Sequence, residues 1–142
     1  MSNDELAAAY LKKASVRLEI LPAYIEKEGY SDAVREAQEI VELATKAMLR
    51  MVGIDPPKWH DVSALIAEHS ARFPDSVQAK IPELVVLSQR LRKEREIAMY
   101  GDIDMIPTSL YSKADAERAL AEATLAVELA RVTRAQHGCD AT

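Results

Sequence analysis

A chain of 142 residues falls within the usual size of one domain. Its 49% hydrophobic content with only 5% aromatic residues, and its few glycines and prolines, argue against a sandwich or barrel and for helices. A formal charge of -5 excludes a broadly basic face that would hold nucleic acid non-specifically, so any phosphate contact must be local. The lone Cys139 excludes an intrachain disulfide and a cysteine-built zinc site. There is no basic-then-apolar leader and no uninterrupted apolar run near about 18 residues. The expectation is a soluble, cytoplasmic, all-α protein, an antiparallel up-and-down bundle of four to five helices in one domain over 1–142, with a frayed tail at 137–142.

Ser2 and Glu5 have capping-box spacing, and Leu11, Ala14, Leu18, Leu21 and Ile25 then alternate by four and three residues. This predicts a helix over 4–27, with a kink near Pro22, which removes a backbone bond and crowds the carbonyl four residues back. Glu28-Gly29-Tyr30 is a turn short enough to force an antiparallel neighbour. From Ser31, a plausible N-cap, the stretch SDAVREAQEIVELATKAMLRM places Val34, Ala37, Val41, Ala44, Met48 and Met51 on one face. Ala33, Ile40, Leu43 and Ala47 widen that face enough to meet more than one helix, so 32–52 is the central helix. Gly53 fits its C-terminal stop, and Pro56-Pro57 prevents continuation.

Asp61 is placed to cap a third helix over 60–73 that carries Val62, Leu65, Ile66, His69 and Phe73. Pro82 suits the first turn of a fourth over 82–100, with Leu84, Leu87, Leu91 and Ala98 inward. The loop Ile103 to Leu110 is unusually apolar for solvent exposure. Ser112 and Asp115 then open a fifth helix over 113–136, its seam formed by Ala116, Leu120, Ala123, Val127 and Ala130.

Few residues carry chemistry. Glu42 and Lys46 form an ordinary surface pair at four-residue spacing. His60-Asp61 is half of a metal site at most, since His69 lies about two and a half turns further on, and the pair reads better as a cap beside a packed histidine. There is no phosphate-binding glycine loop, nucleophile elbow or cysteine-histidine pair. No metal or cofactor is expected. Within QRLRKEREIAMYGD, the cations Arg90, Arg92 and Lys93 read as a solvated face tempered by Glu94 and Glu96. Arg95 differs, because ideal geometry sets it about 40° from Leu91, at the seam, where a guanidinium needs a partner such as Asp102 or Glu42. Arg95, Tyr100 and Asp102 together outline a phosphodiester site: planar donors for phosphate, a titratable neighbour, and a carboxylate to orient the arginine.

The helix AVREAQEIVELATKAML, the connection GIDPPKWHD and the later helix ending REIAMYGD resemble the HEPN domains of bacteria and archaea, over roughly Ala9 to Arg131. The resemblance implies a four- or five-helix bundle that usually dimerises, often beside a minimal nucleotidyltransferase. It also implies a kinship with metal-independent ribonucleases, several of them toxins. Their hallmark is an Arg followed after four to six residues by a His near the end of a late helix. Arg95 matches the Arg, whereas Tyr100 stands where the shortest spacing requires His. Imidazole serves as acid and base near neutrality, and a phenol with a reference pKa of about 10 is a poor base there.

Three readings of function remain open at this point. The first is a HEPN-type nucleotide- or RNA-associated homodimer, partner of a separate nucleotidyltransferase. The second is a toxin-type ribonuclease with Arg95 on the phosphate and Tyr100 moving a proton. The third is a structural homo-oligomer without catalysis.

Overall fold

The computed structural model describes residues 2–58, 61–100 and 110–140, with side chains described throughout except at 95–100 and 138–140. Among the described residues there are six α-helices, one 3₁₀ turn and no strand. They are α1 Asn3–Glu26, α2 Tyr30–Met51, α3 Val62–Glu68, α4 Asp75–Gln78, α5 Ile81–Tyr100 and α6 Lys113–Asp140. None of the described helices is long and apolar enough to cross a membrane.

The central helix is α2, which packs against α1, α6, α5 and α3. Its two apolar lines explain this: Val34, Ala37, Val41, Ala44 and Met48 are buried, as are Ala33, Ile40 and Ala47. Against it α1 brings Ala7, Leu11, Ala14 and Leu21, and α6 brings Ala116, Ala119, Ala123, Ala126, Val127 and Ala130. Small side chains on both α2 and α6 allow close packing at density typical of protein interiors. Polar links fix the α1–α2 register as antiparallel. Arg17 pairs with Glu36 at 3.0 Å, while Arg50, near the end of α2, donates to Asn3 Oδ1 at 2.9 Å, near the start of α1.

The helix ends carry several corrections. Ser31 does not cap α2; the N-cap is Gly29, without a side-chain bond, and Ser31 is buried in the first turn. The chain arrives there through a tight reversal in which Gly29 N–H bonds Tyr24 O at 2.8 Å and Glu28 N–H bonds Ile25 O at 3.0 Å. This leaves Glu28 in the left-handed region at φ 61°, a conformation more often given to glycine. The other end of α2 closes with the same bond pattern, Gly53 N–H to Arg50 O and Ile54 N–H to Leu49 O, and here glycine does occupy the left-handed position, at φ 82°.

Pro22 lies inside an α1 that continues to Glu26. The expected third helix is divided: α3 ends at Glu68, Ser70–Arg72 forms the 3₁₀ turn, and α4 is a separate single turn. Phe73, 3% exposed, anchors this stretch, Gln78 Nε2 donates to Phe73 O at 2.8 Å, and Arg72 donates to Val52 O at 3.1 Å. The first serves the carbonyl at the end of this stretch, and the second ties the 3₁₀ turn to the C-terminal end of α2. At the far end α6 runs through Gly138 to Asp140, beyond the stop expected at 136. On its seam Leu120 is only partly buried, its place taken by Ala119 and Ala126.

Candidate functional site

Helix α5 begins under firm control. Ile81, Leu84, Leu87 and Leu91 are buried, 3% exposed or less, at helical spacing. The same spacing brings position 95 round to this side of the helix. The helix is unbroken through Tyr100, so positions 95 and 100 lie about 140° apart around its axis on ideal geometry. The side chains of Arg95 and Tyr100, and Asp102 with Trp59 and His60, lie outside the described residues, as does the apolar loop from Ile103 up to Leu110, itself exposed.

The cations just before position 95 are not one solvated face. Arg90 forms an ion pair with Glu122 on α6, its side chain only 27% exposed and that of Glu122 15%. Arg118 also reaches Glu122, at 3.3 Å, so one carboxylate ties α5 to α6 between two guanidinium groups. Beside it, Tyr111 donates its hydroxyl to Glu94 O at 3.0 Å. Burial first, and then Glu94, hold this phenol above its ordinary value, so it stays protonated. Ser112 and Asp115 cap α6 reciprocally, Asp115 N–H to Ser112 Oγ at 3.2 Å and Ser112 N–H to Asp115 Oδ2 at 2.9 Å, as their spacing suggested.

Arg92 faces the opposite way, toward the start of α3. There Asp61 caps the helix, taking Ser63 N–H at 3.0 Å and Ser63 Oγ–H at 2.7 Å, and it also accepts from Gln89 at 3.0 Å. Arg92 stands 3.8 Å from the same carboxylate and is 48% exposed. Burial opposes the ionisation of Asp61, but the Ser63 and Gln89 hydrogen bonds and the charge of Arg92 outweigh it and hold the carboxyl below its usual range. Next to this group Gln38, Glu42 and Thr45 of α2 and Ser88 and Arg92 of α5 line a polar cavity closed by Pro57, Lys58, Asp61 and Val62. Glu42 is occupied there, accepting from Gln38 at 3.3 Å and pairing with Lys46 at 3.5 Å.

Sequence reasoning missed Gln38, Ser88 and Glu122. The signal was available in weak form: Gln38 interrupts the apolar face of α2, and Ser88 sits beside Leu87 on the inward side of α5. Among the described residues no group of three His, Cys, Asp or Glu side chains is arranged to hold a metal ion.

An all-helical bundle with Arg95 near the end of a late helix is the architecture that the quoted motifs led us to expect. The chain belongs to the HEPN domain family, whose model matches residues 7–132. It is also similar to a protein of Methanocaldococcus jannaschii named "Putative toxin MJ1304", with 28% identity over 134 residues, 89% of this chain and 87% of that protein.

Proposed function

We propose that this chain is a nucleotide- or RNA-associated HEPN module, which works as a homodimer and serves as the helical partner of a separate minimal nucleotidyltransferase. The observation that carries the reading is α5: Arg95 lies on an unbroken helix whose position 100 holds a phenol in place of the family's imidazole. The arginine supplies a bidentate fork for phosphate, and Asp102 is the residue assigned to orient it. Without the imidazole the module retains phosphate binding and lacks the acid-base pair that cleavage near neutrality requires. The 140° between positions 95 and 100 supports the dimer, since a pocket holding both would draw one of them from a second copy.

Titration with a ribonucleotide tests the reading. Arg95→Lys should weaken binding about tenfold, because an ammonium cannot make the paired bonds, while exposed Lys93→Ala should change little. Arg90→Ala is not a neutral control, given the Glu122 pair. Equal losses from Arg95→Lys and Lys93→Ala would reduce the cluster to a charged surface. Sedimentation at micromolar concentration showing only a 15.7 kDa monomer would remove the dimer.

A second reading, a toxin-type ribonuclease, is favoured by the name of the archaeal relative. In it Arg95 holds the scissile phosphate and Tyr100 moves the proton. RNA cleavage by the wild-type protein in the presence of a chelator would establish it; cleavage gained only in Tyr100→His would establish the first reading instead. A structural homo-oligomer is left if no nucleotide binds.

A further inference from the structure

The polar cavity between α2 and α5 contains an unmet demand. Gln38 is 4% exposed, yet its Oε1 has no hydrogen-bond partner. The amide cannot be turned to remove the problem, because Nε2 donates to Glu42 Oε2 at 3.3 Å and a carboxylate accepts only. Of the hydroxyls on the lining, that of Ser88 does not reach Gln38 Oε1, and that of Thr45 is turned to backbone carbonyls. The Thr45 hydroxyl lies 2.8 Å from Val41 O and 3.1 Å from Glu42 O, and Asp61 is filled by Ser63, Gln89 and Arg92. Buried acceptors without donors are rare in folded proteins, so this one asks for a donor from outside.

The lining also carries charge of both signs, the carboxylates of Glu42 and Asp61 and two cations. The cations are Lys58 and Arg92, and Arg92 is half exposed and only loosely drawn to Asp61 at 3.8 Å. A guanidinium in that state can turn to an incoming anion with two bonds at once. Only about 30 Å³ of the cavity admits a water-sized group, while the whole depression, open solvent included, is about 350 Å³. It therefore receives the edge of a ligand and leaves the body outside. The required ligand offers a small N–H donor at one end and a phosphate at the other.

We propose that this cavity is a base-reading subsite for an amino-bearing ribonucleotide, the exocyclic amine donating to Gln38 Oε1 and the phosphate meeting Arg92 and Lys58. The proposal rests on the reading of the end of α5 as nucleotide-binding, and it extends that surface. Positions 88 and 95 are seven residues apart on one helix, about 20° apart around the axis and about 10 Å along it. The subsite and position 95 thus share one strip of α5, and a strand held at position 95 passes the cavity.

The test compares three probes by calorimetric titration: AMP, its deaminated analogue purine riboside 5′-monophosphate, and ribose 5-phosphate. The wild-type protein should bind AMP about tenfold more tightly than the analogue, the worth of one hydrogen bond to a buried acceptor. Gln38→Met should erase that preference while leaving the helical circular dichroism intact, and Arg92→Ala should weaken all three probes. Equal affinity for AMP and the analogue in the wild type would mean that water serves Gln38, and would overturn the subsite; that comparison needs no mutant to fold. An AMP preference surviving in Gln38→Met would overturn it as well. If the subsite fails in this way while Arg95→Lys still weakens AMP, the nucleotide reading stands alone. Binding of none of the three probes would end both.

Discussion

Arg90 and Arg92 are two residues apart in one basic stretch, and they do different things. Arg90 meets α6, where Glu122 holds it and the side chain is largely covered. Arg92 meets the capped start of α3, where Asp61 already has better partners and the guanidinium stays half exposed. The same residue type on the same helix becomes a structural tie on one side and an available cation on the other. What separates them is whether the facing carboxylate has spare acceptor capacity. Charge clusters in sequence therefore carry little information until the packing partner of each side chain is known.

The strongest way to break this contrast is to remove the residue between them. Leu91 is fully buried, and Leu91→Ala should cost about 2–5 kcal/mol through lost burial and the cavity left behind. A urea melt measures it. A loss under about 1 kcal/mol would mean that α5 is not anchored here, and that neither arginine is positioned by the core.

Removing the structural tie comes next in size. Glu122→Gln leaves Arg90 and Arg118 without the carboxylate that lies between them. Fully buried pairs lose about 3–5 kcal/mol on such a cut and exposed ones about 0–1, so this part-buried site should lose about 1–2 kcal/mol. Asp61→Asn should cost less, since the amide oxygen still accepts from Ser63 and only the Gln89 hydrogen bond and the half-exposed Arg92 charge are lost. Equal losses in the two variants would cancel the distinction between the arginines.

The core was legible in the sequence because its signal is periodic. Val34, Ala37, Val41, Ala44 and Met48 recur at the helical interval, and all are buried. Stops written as glycine were legible too, as at Gly53. Glu28 was not, because the reversal before α2 needs a left-handed residue and the chain supplies glutamate, with Gly29 one place later. Glu28→Gly should accordingly stabilise the protein by about 0.5–1 kcal/mol, read as a shift in the urea midpoint. The division of 60–73 was hidden because Val62, Leu65, Ile66 and Phe73 suit one helix, whereas the observed turn is accompanied by side-chain bonds to Phe73 O and to Val52 O of α2 that no periodicity announces. At the candidate site position 95 rests on motif spacing alone, its side chain lying outside the described residues. Gln38 could not be read from the sequence, since a buried amide resembles any polar residue until its partners are counted.

The smallest effect is in acid, and it sharpens the contrast most. Asp61, beside Arg92, is held below its usual range against the opposing effect of burial, by Ser63, Gln89 and Arg92. Asp115 is held low chiefly by the Ser112 N–H and hydroxyl, with burial opposing and Arg118 and Arg90 adding smaller contributions. Both carboxyls are depressed in the folded state, so each contributes stability that is present above the unfolded value of about 3.9 and is lost as pH falls through the folded value. Asp61→Asn and Asp115→Asn should each flatten the fall in urea midpoint below about pH 4, since an amide does not titrate. Salt then separates them. Screening weakens charge between half-exposed groups and leaves short hydrogen bonds in place. Raising ionic strength should erode the part of the acid limb that Asp61→Asn removes, which includes the Arg92 charge. The part removed by Asp115→Asn should persist, because it rests on hydrogen bonds within the α6 cap. If salt eroded both parts equally, charge and not hydrogen bonding would be holding Asp115, and the two sides of α5 would be electrostatically alike.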